Sequence, residues 1–183
     1  MAVLEKAVPV EWEERNEFLA RLRAWGESDD GQPVYMLNVM RFFDQIKPMP
    51  GVPANMKPNE ANALYEKTAT SLLLKSGAYP LVGGDSMRIA TAQKKSNLIV
   101  HEPELDNWDR ILVVRYPGRR AFFDLMTNPE YLKVMPYKLG SLKVVLTPVR
   151  GDLVIPDMRW PIGGACLTIF LLAGWIRAGM RRT

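Results

Sequence analysis

The sequence predicts an α+β fold with an apolar helix appended at its C-terminal end. Three observations predict it. Between residues 33 and 150, apolar runs of strand length alternate with segments of helical period. Gly and Pro punctuate those segments at turn-like intervals. From Trp160 to Ile176 the chain reads WPIGGACLTIFLLAGWI, 17 residues without a charge.

Val10 to Trp25 reads as an amphipathic helix. Phe18, Leu22 and Trp25 fall at i, i+4 and i+7, with Glu11, Glu13, Glu14, Arg15 and Glu17 largely elsewhere. Ser28 to Pro33 is a turn signal. Val34 to Phe43 is an apolar strand with Asn38 and Arg41 as polar exceptions. Pro48, Pro50, Gly51, Pro53 and Pro58 make the next stretch a loop. Asn59 to Ser76 is a helix with Leu64, Tyr65, Thr68, Ala69 and Leu72 on one stripe, and Gly77 is its expected C-terminal cap.

Leu81 to Ala90 is a strand interrupted by Gly83 and Gly84, which suggests a bulge. Residues 91–107 are polar and read as a long loop. Trp108 to Tyr116 is a buried strand, and Arg119 to Met126 a short helix. Asn128 is an N-cap with Pro129 at the first helical position. The helix it opens runs to Val134, where Pro136 limits it. Leu142 to Val149 is the last strand. The order is β-α-β-β-α-β, the ferredoxin-like split unit. Four segments result: an N-terminal amphipathic helix and turn over 1–32, the α/β domain over 33–150, a linker over 151–159, and a membrane helix with a basic tail over 160–183.

The net charge of +4 comes from the tail. Four of the 24 Lys and Arg lie at or after Arg159 and no acid does, which leaves 20 bases against 20 acids before it. A neutral domain without a basic stripe excludes nucleic acid as an expected partner. The single cysteine, Cys166, lies in the apolar segment, so no intramolecular disulfide forms. The first residues lack the apolar core of a signal peptide, so the soluble domain is expected in the cytoplasm.

Trp160 and Trp175 stand near the ends of the apolar segment, and Arg177, Arg181 and Arg182 follow it. Interfacial aromatics and basic ends are the pattern of a membrane anchor that meets lipid headgroups. Seventeen residues rise about 25 Å as a helix, against a bilayer core of about 30 Å. Spanning, re-entrant and surface-lying arrangements stay open.

YEKTATSLLLKSGAYPLVGGDS (65–86) and RILVVRYPGRRAFFDLMTNPEYLKV (110–134) resemble domain-of-unknown-function family 1330. PVYMLNVMRF (33–42), after an amphipathic helix, resembles a longer subgroup of that family. The resemblance covers roughly residues 10–150. It implies a dimeric α/β barrel, in which two ferredoxin-like sheets pair. That superfamily includes cofactor-free monooxygenases, small isomerases and haem proteins, and the family itself has no settled activity. The chain departs from the pattern at residues 43–60 and 91–107, which look longer, and in the apolar C-terminal segment. The longer subgroup often carries a His after Asn-Pro-Glu-Tyr, where this chain reads Val134-Met135-Pro136-Tyr137.

No motif identifies a reaction. His101 is the only histidine and sits in the polar loop beside Glu102 and Glu104, where a solvated role outweighs a metal or catalytic one. No cofactor and no metal are expected. Asn38, Arg41 and Arg115 are polar residues within apolar strands and must find partners, in the protein or in a ligand. Tyr65 and Tyr131, with Tyr116 and Tyr137, could wall a pocket. The ligand-binding candidates are therefore Asn38, Arg41, Tyr65, Arg115 and Tyr131. Three functions follow as expectations, the third being a purely structural homodimer that organises the membrane surface. The first is a membrane-anchored, non-catalytic accessory subunit of a larger integral membrane complex, with the soluble domain homodimeric. The second is an anchored barrel that binds or transforms an apolar small molecule without a metal. An exposed apolar patch favours the first, and a cavity with convergent polar groups favours the second.

Overall fold

The computed structural model describes residues 1–10, 12–87, 89–90, 95–96, 108–151 and 159–180. Two compact units divide the chain, Met1–Arg150 and Gly151–Thr183.

The first unit is α+β. Its elements are α1 (Ala2–Ala7), α2 (Arg15–Glu27), β1 (Val34–Phe42), α3 (Pro58–Lys75), β2 (Tyr79–Asp85), β3 (Ile89–Ala90), β4 (Lys95–Ser96), β5 (Arg110–Tyr116), α4 (Arg119–Met126), α5 (Pro129–Ser141) and β6 (Leu142–Val149). Four strands form one antiparallel sheet in the order β2-β5-β1-β6. β3 and β4 pair separately.

Side chains alternate across a strand, and β1 obeys this strictly. Val34, Met36, Asn38 and Met40 are buried, and the odd-numbered residues between them are half-buried. Register places Leu112 and Leu146 on either side of Asn38. This inner face meets the helices. The core combines Met36 and Val114 of the sheet with Leu19 and Leu22 of α2, Ala69 of α3, Phe122 and Leu125 of α4, and Tyr131 and Met135 of α5.

The N-terminal segment differs from expectation. A separate helix, α1, precedes α2, and its Leu4 is fully buried. Arg15 ties the two together by donating to the carbonyls of Glu5 and Val8. Residues 1–32 thus pack into the first unit. On α3 the inward stripe is Ala61, Asn62, Tyr65, Ala69 and Leu72, and Leu64 is exposed. The bulge in β2 falls between Pro80 and Val82, not at the glycines. Gly83 has a different reason to be glycine: a Cβ there would stand 2.8 Å from Leu112 Cδ1.

α5 continues through Pro136 to Ser141. Proline removes one backbone donor, yet buried Met135 before it and partly buried Leu139 after it both join the interior, and packing overrides the local penalty. Asn128 caps this helix as expected, its side chain accepting from the Glu130 amide at 2.9 Å.

The second unit carries α6 (Arg159–Met180), 22 residues. A helix of that length rises about 33 Å. Its span Trp160–Met180 is long and apolar enough to cross a membrane. It is longer than the uncharged stretch alone suggests, because the helix continues past Arg177. Trp160 and Trp175 are exposed, as are Ile162, Leu167, Ile169 and Phe170. Arg181 and Arg182, and most of the linker, lie outside the described residues.

Candidate functional site

A cavity of ≈ 690 Å³ opens between the inner face of the sheet and α2, α3 and α5. Its walls are mostly apolar: Met36, Met40, Leu112, Val114, Leu125 and Met135 all face it. β1 supplies the polar Asn38, α2 supplies Glu17 and Arg21 with Glu14 just before it, α3 supplies Asn62, Tyr65, Glu66 and Thr70, β5 supplies Arg110 and Tyr116, α5 supplies Tyr131 and Lys138, and β6 supplies Lys143 and Thr147. Tyr131 and Lys138 are seven residues apart, two helical turns on one face.

Tyr65 and Tyr131 meet through their hydroxyls at 3.0 Å, their rings edge-on with centroids 5.8 Å apart. Burial raises the Tyr65 hydroxyl well above the usual phenol range, and the neighbouring Tyr131 raises it further. Burial raises Tyr131 as well, against a lowering by the Tyr65 hydrogen bond. Tyr116, also facing the cavity, is raised by burial. All three hydroxyls therefore keep their protons at neutral pH.

Lys138 Nζ lies 5.2 Å from the centroid of the Tyr65 ring. Burial pulls its ammonium down to about 8, with Glu66 opposing the fall. Glu66 is itself held by Arg110 Nη1 at 3.2 Å, and Arg110 Nε reaches Asp85 Oδ1 at 3.7 Å. The Lys138 side chain makes no hydrogen bond and no ion pair within 4 Å among the described residues. Asn62, 2% exposed, likewise has no side-chain hydrogen bond among them. Asn38, which lines the cavity, donates from Nδ2 to the carbonyls of Met36 and Leu112 at 3.2 and 3.3 Å.

Of the sequence candidates, Asn38, Tyr65 and Tyr131 come together at the cavity. Arg41 and Arg115 do not. Arg41 is exposed and lies 5.9 Å from the Trp108 ring, and Arg115 lies 5.6 Å from the Tyr79 ring. Both occupy the outer face, because an odd offset from Asn38 along β1, and from Leu112 along β5, turns the side chain away. Asp109 accepts from the Phe42 amide at 2.8 Å. Tyr137 donates to the Gly51 carbonyl at 3.2 Å, away from the cavity lining. His101 lies outside the described residues.

Sequence reasoning missed Asn62 and Lys138. The signal for Asn62 was its spacing from Tyr65 and Ala69, i, i+3 and i+7 on one helix face. The signal for Lys138 was masked by Pro136.

No family model matches the chain, and no curated protein matches it. Solved structures do. A protein of unknown function from Rhodopseudomonas palustris, RPA0582, is similar over 76% of this chain and 94% of its own, at 20% identity and a TM-score of 0.59. At3g17210 from Arabidopsis thaliana is similar over 67% of this chain and 99% of its own, at 15% identity and a TM-score of 0.41. SnoaB, a cofactor-independent oxygenase from Streptomyces nogalater, is similar over 69% and 99%, at 12% identity and a TM-score of 0.40. The Rhodopseudomonas likeness is one of fold, and fold alone carries no chemistry.

Proposed function

We propose that the unit Met1–Arg150 binds an apolar small molecule, such as a quinone, pigment or lipid-derived compound, in the cavity beneath its sheet. The cavity carries this reading. A volume of ≈ 690 Å³ with apolar walls and a few convergent polar groups suits a drug-sized ligand. Asn38, Asn62, Tyr65, Tyr131 and Lys138 would orient it. The reading requires no metal.

We assign the fold to the ferredoxin-like class, within the dimeric α/β barrels that family 1330 implies. The four-stranded antiparallel sheet, with helices between β1 and β2 and between β5 and β6, supports that assignment. The outer sheet face supports a homodimer. Ile111 and Val145 are exposed there, beside half-buried Val39 and Val113. α6 would hold the assembly at a membrane, with Trp160, Trp175 and Arg177 at its ends. The cytoplasmic orientation of the soluble unit rests on the sequence alone.

One observation favours the second reading, an accessory subunit of an integral membrane complex. α6 presents apolar side chains all round, which partner helices could cover as well as lipid.

The test uses the full chain in lipid nanodiscs and the fluorescent probe N-phenyl-1-naphthylamine, with the signal of empty discs subtracted. Saturable binding is expected, and Leu146→Trp, which fills the cavity from β6, should abolish it while circular dichroism stays unchanged. Equal binding by the two proteins would overturn the cavity as the site.

A further inference from the structure

Resting on the cavity reading above, we propose that the ligand carries an oxyanion head, seated between Lys138, Asn62 and the Tyr65–Tyr131 pair, with its apolar body against the methionine and leucine walls. The donor count of the site points there. Two phenol hydroxyls 3.0 Å apart use one proton between them, so one O–H remains to donate outward. Asn62 is nine-tenths buried, faces the cavity and has no side-chain partner among the described residues. Its amide opens onto the cavity, so a polar group of a ligand can make the hydrogen bonds that the protein leaves unmade.

Lys138 adds up to three more donors and, among the described residues, no carboxylate pairs with it. The one acid beside it, Glu66, is neutralised by Arg110 at 3.2 Å. The other carboxylates at the cavity, Glu14 and Glu17, stand at the start of α2, where Arg21 pairs with Glu17. A cavity end that offers an ammonium, a phenol O–H and an unpartnered amide selects a carboxylate, sulfonate or enolate over an alcohol or amine of the same shape. Burial holds the three tyrosines protonated, so their hydroxyls add no competing negative charge. The substrate class is therefore an amphipathic organic acid.

Two probes share one aromatic body and differ by a single group. 1-Anilinonaphthalene-8-sulfonate carries a sulfonate that N-phenyl-1-naphthylamine lacks. Each is titrated into the full chain in zwitterionic nanodiscs, with empty discs subtracted. The sulfonate should bind at least ten-fold more tightly than the neutral probe. Lys138→Met and Asn62→Leu should each erase most of that preference and leave the neutral probe's affinity within about two-fold. Decanoate, but not decanol, should displace the sulfonate. Circular dichroism and the melting temperature establish that each variant is folded. Where Asn62→Leu does not fold, Lys138→Met with the decanoate competition decides. Equal affinity for the two probes, or a sulfonate preference untouched by Lys138→Met, overturns the oxyanion head while the cavity reading stands. Binding of neither probe overturns the cavity reading itself.

Discussion

The hydroxyls of Tyr65 and Tyr131 meet at 3.0 Å across the packed faces of α3 and α5. Each phenol is the other's partner in a largely apolar setting, and the pair sits at the cavity wall. Removing one hydroxyl strands the other, at a cost of about 1 kcal/mol. Tyr65→Phe and Tyr131→Phe should each lower stability by that amount in urea unfolding. The double variant should lose clearly less than the sum, because the second substitution strands nothing further. Additive losses would show the two hydroxyls to be uncoupled.

Arg119 fastens the α2–β1 turn to the start of α4. Its Nη1 donates to the Trp25 carbonyl at 2.7 Å and to Ser28 Oγ at 2.8 Å, and its guanidinium lies 5.4 Å from the Trp25 ring. Arg119→Met should cost about 2 kcal/mol, the worth of charged hydrogen bonds in a largely buried place. Arg119→Lys should recover little, since one ammonium cannot reproduce a fork over an aromatic face. A melting temperature within a degree of wild type for Arg119→Met would refute the clasp.

Parity explains why Arg41 stands apart from the cavity that Asn38 lines. Asn38 and Arg41 are three apart on a strand, and side chains alternate with period two, so they cannot share a face. The apolar run of β1 hid this, because both faces carry hydrophobic residues and no polar alternation marks the inside. The four strands of the main sheet, α3, α4 and the Asn128 cap were legible because their signals are local. The extent of α5 was not. Pro136 argues locally for a stop, and only the packing of Met135 and Leu139 into the interior carries the helix onward. That extension brings Lys138 to the cavity, so the helix end expected at Pro136 concealed a buried cation of the site.

Gly140 marks where α5 ends against the loop after β1. A Cβ there would lie 3.0 Å from the Lys47 carbonyl and 3.2 Å from Met49 Cγ, while the Gly140 carbonyl accepts from the Lys47 amide at 2.8 Å. Backbone cannot give way as a side chain tip does. Gly140→Ala should therefore destabilise by about 1–3 kcal/mol, the usual cost of overpacking. Calorimetry that finds the variant as stable as wild type would mean the loop moves freely.

Lys138 makes stability depend on pH. Its ammonium falls from 10.5 to about 8 on folding. Between those values the unfolded chain holds the proton and the native protein does not, so stability rises with pH from about 8 towards 10. Above 10 the three buried tyrosines oppose the rise, since the unfolded chain ionises its phenols first. Chemical denaturation at intervals from pH 7 to 10 should show the rise in wild type. Lys138→Met should flatten it and be more stable at pH 7. A slope that survives the substitution would assign it to another group.

Native mass spectrometry of the full chain, purified in mild detergent from its own membranes, tests the central claim most directly. The account predicts a homodimer that carries a small organic molecule, released on denaturation and absent from Leu146→Trp. A chain that travels instead in fixed stoichiometry with integral membrane proteins, its cavity empty of any small molecule, would contradict it.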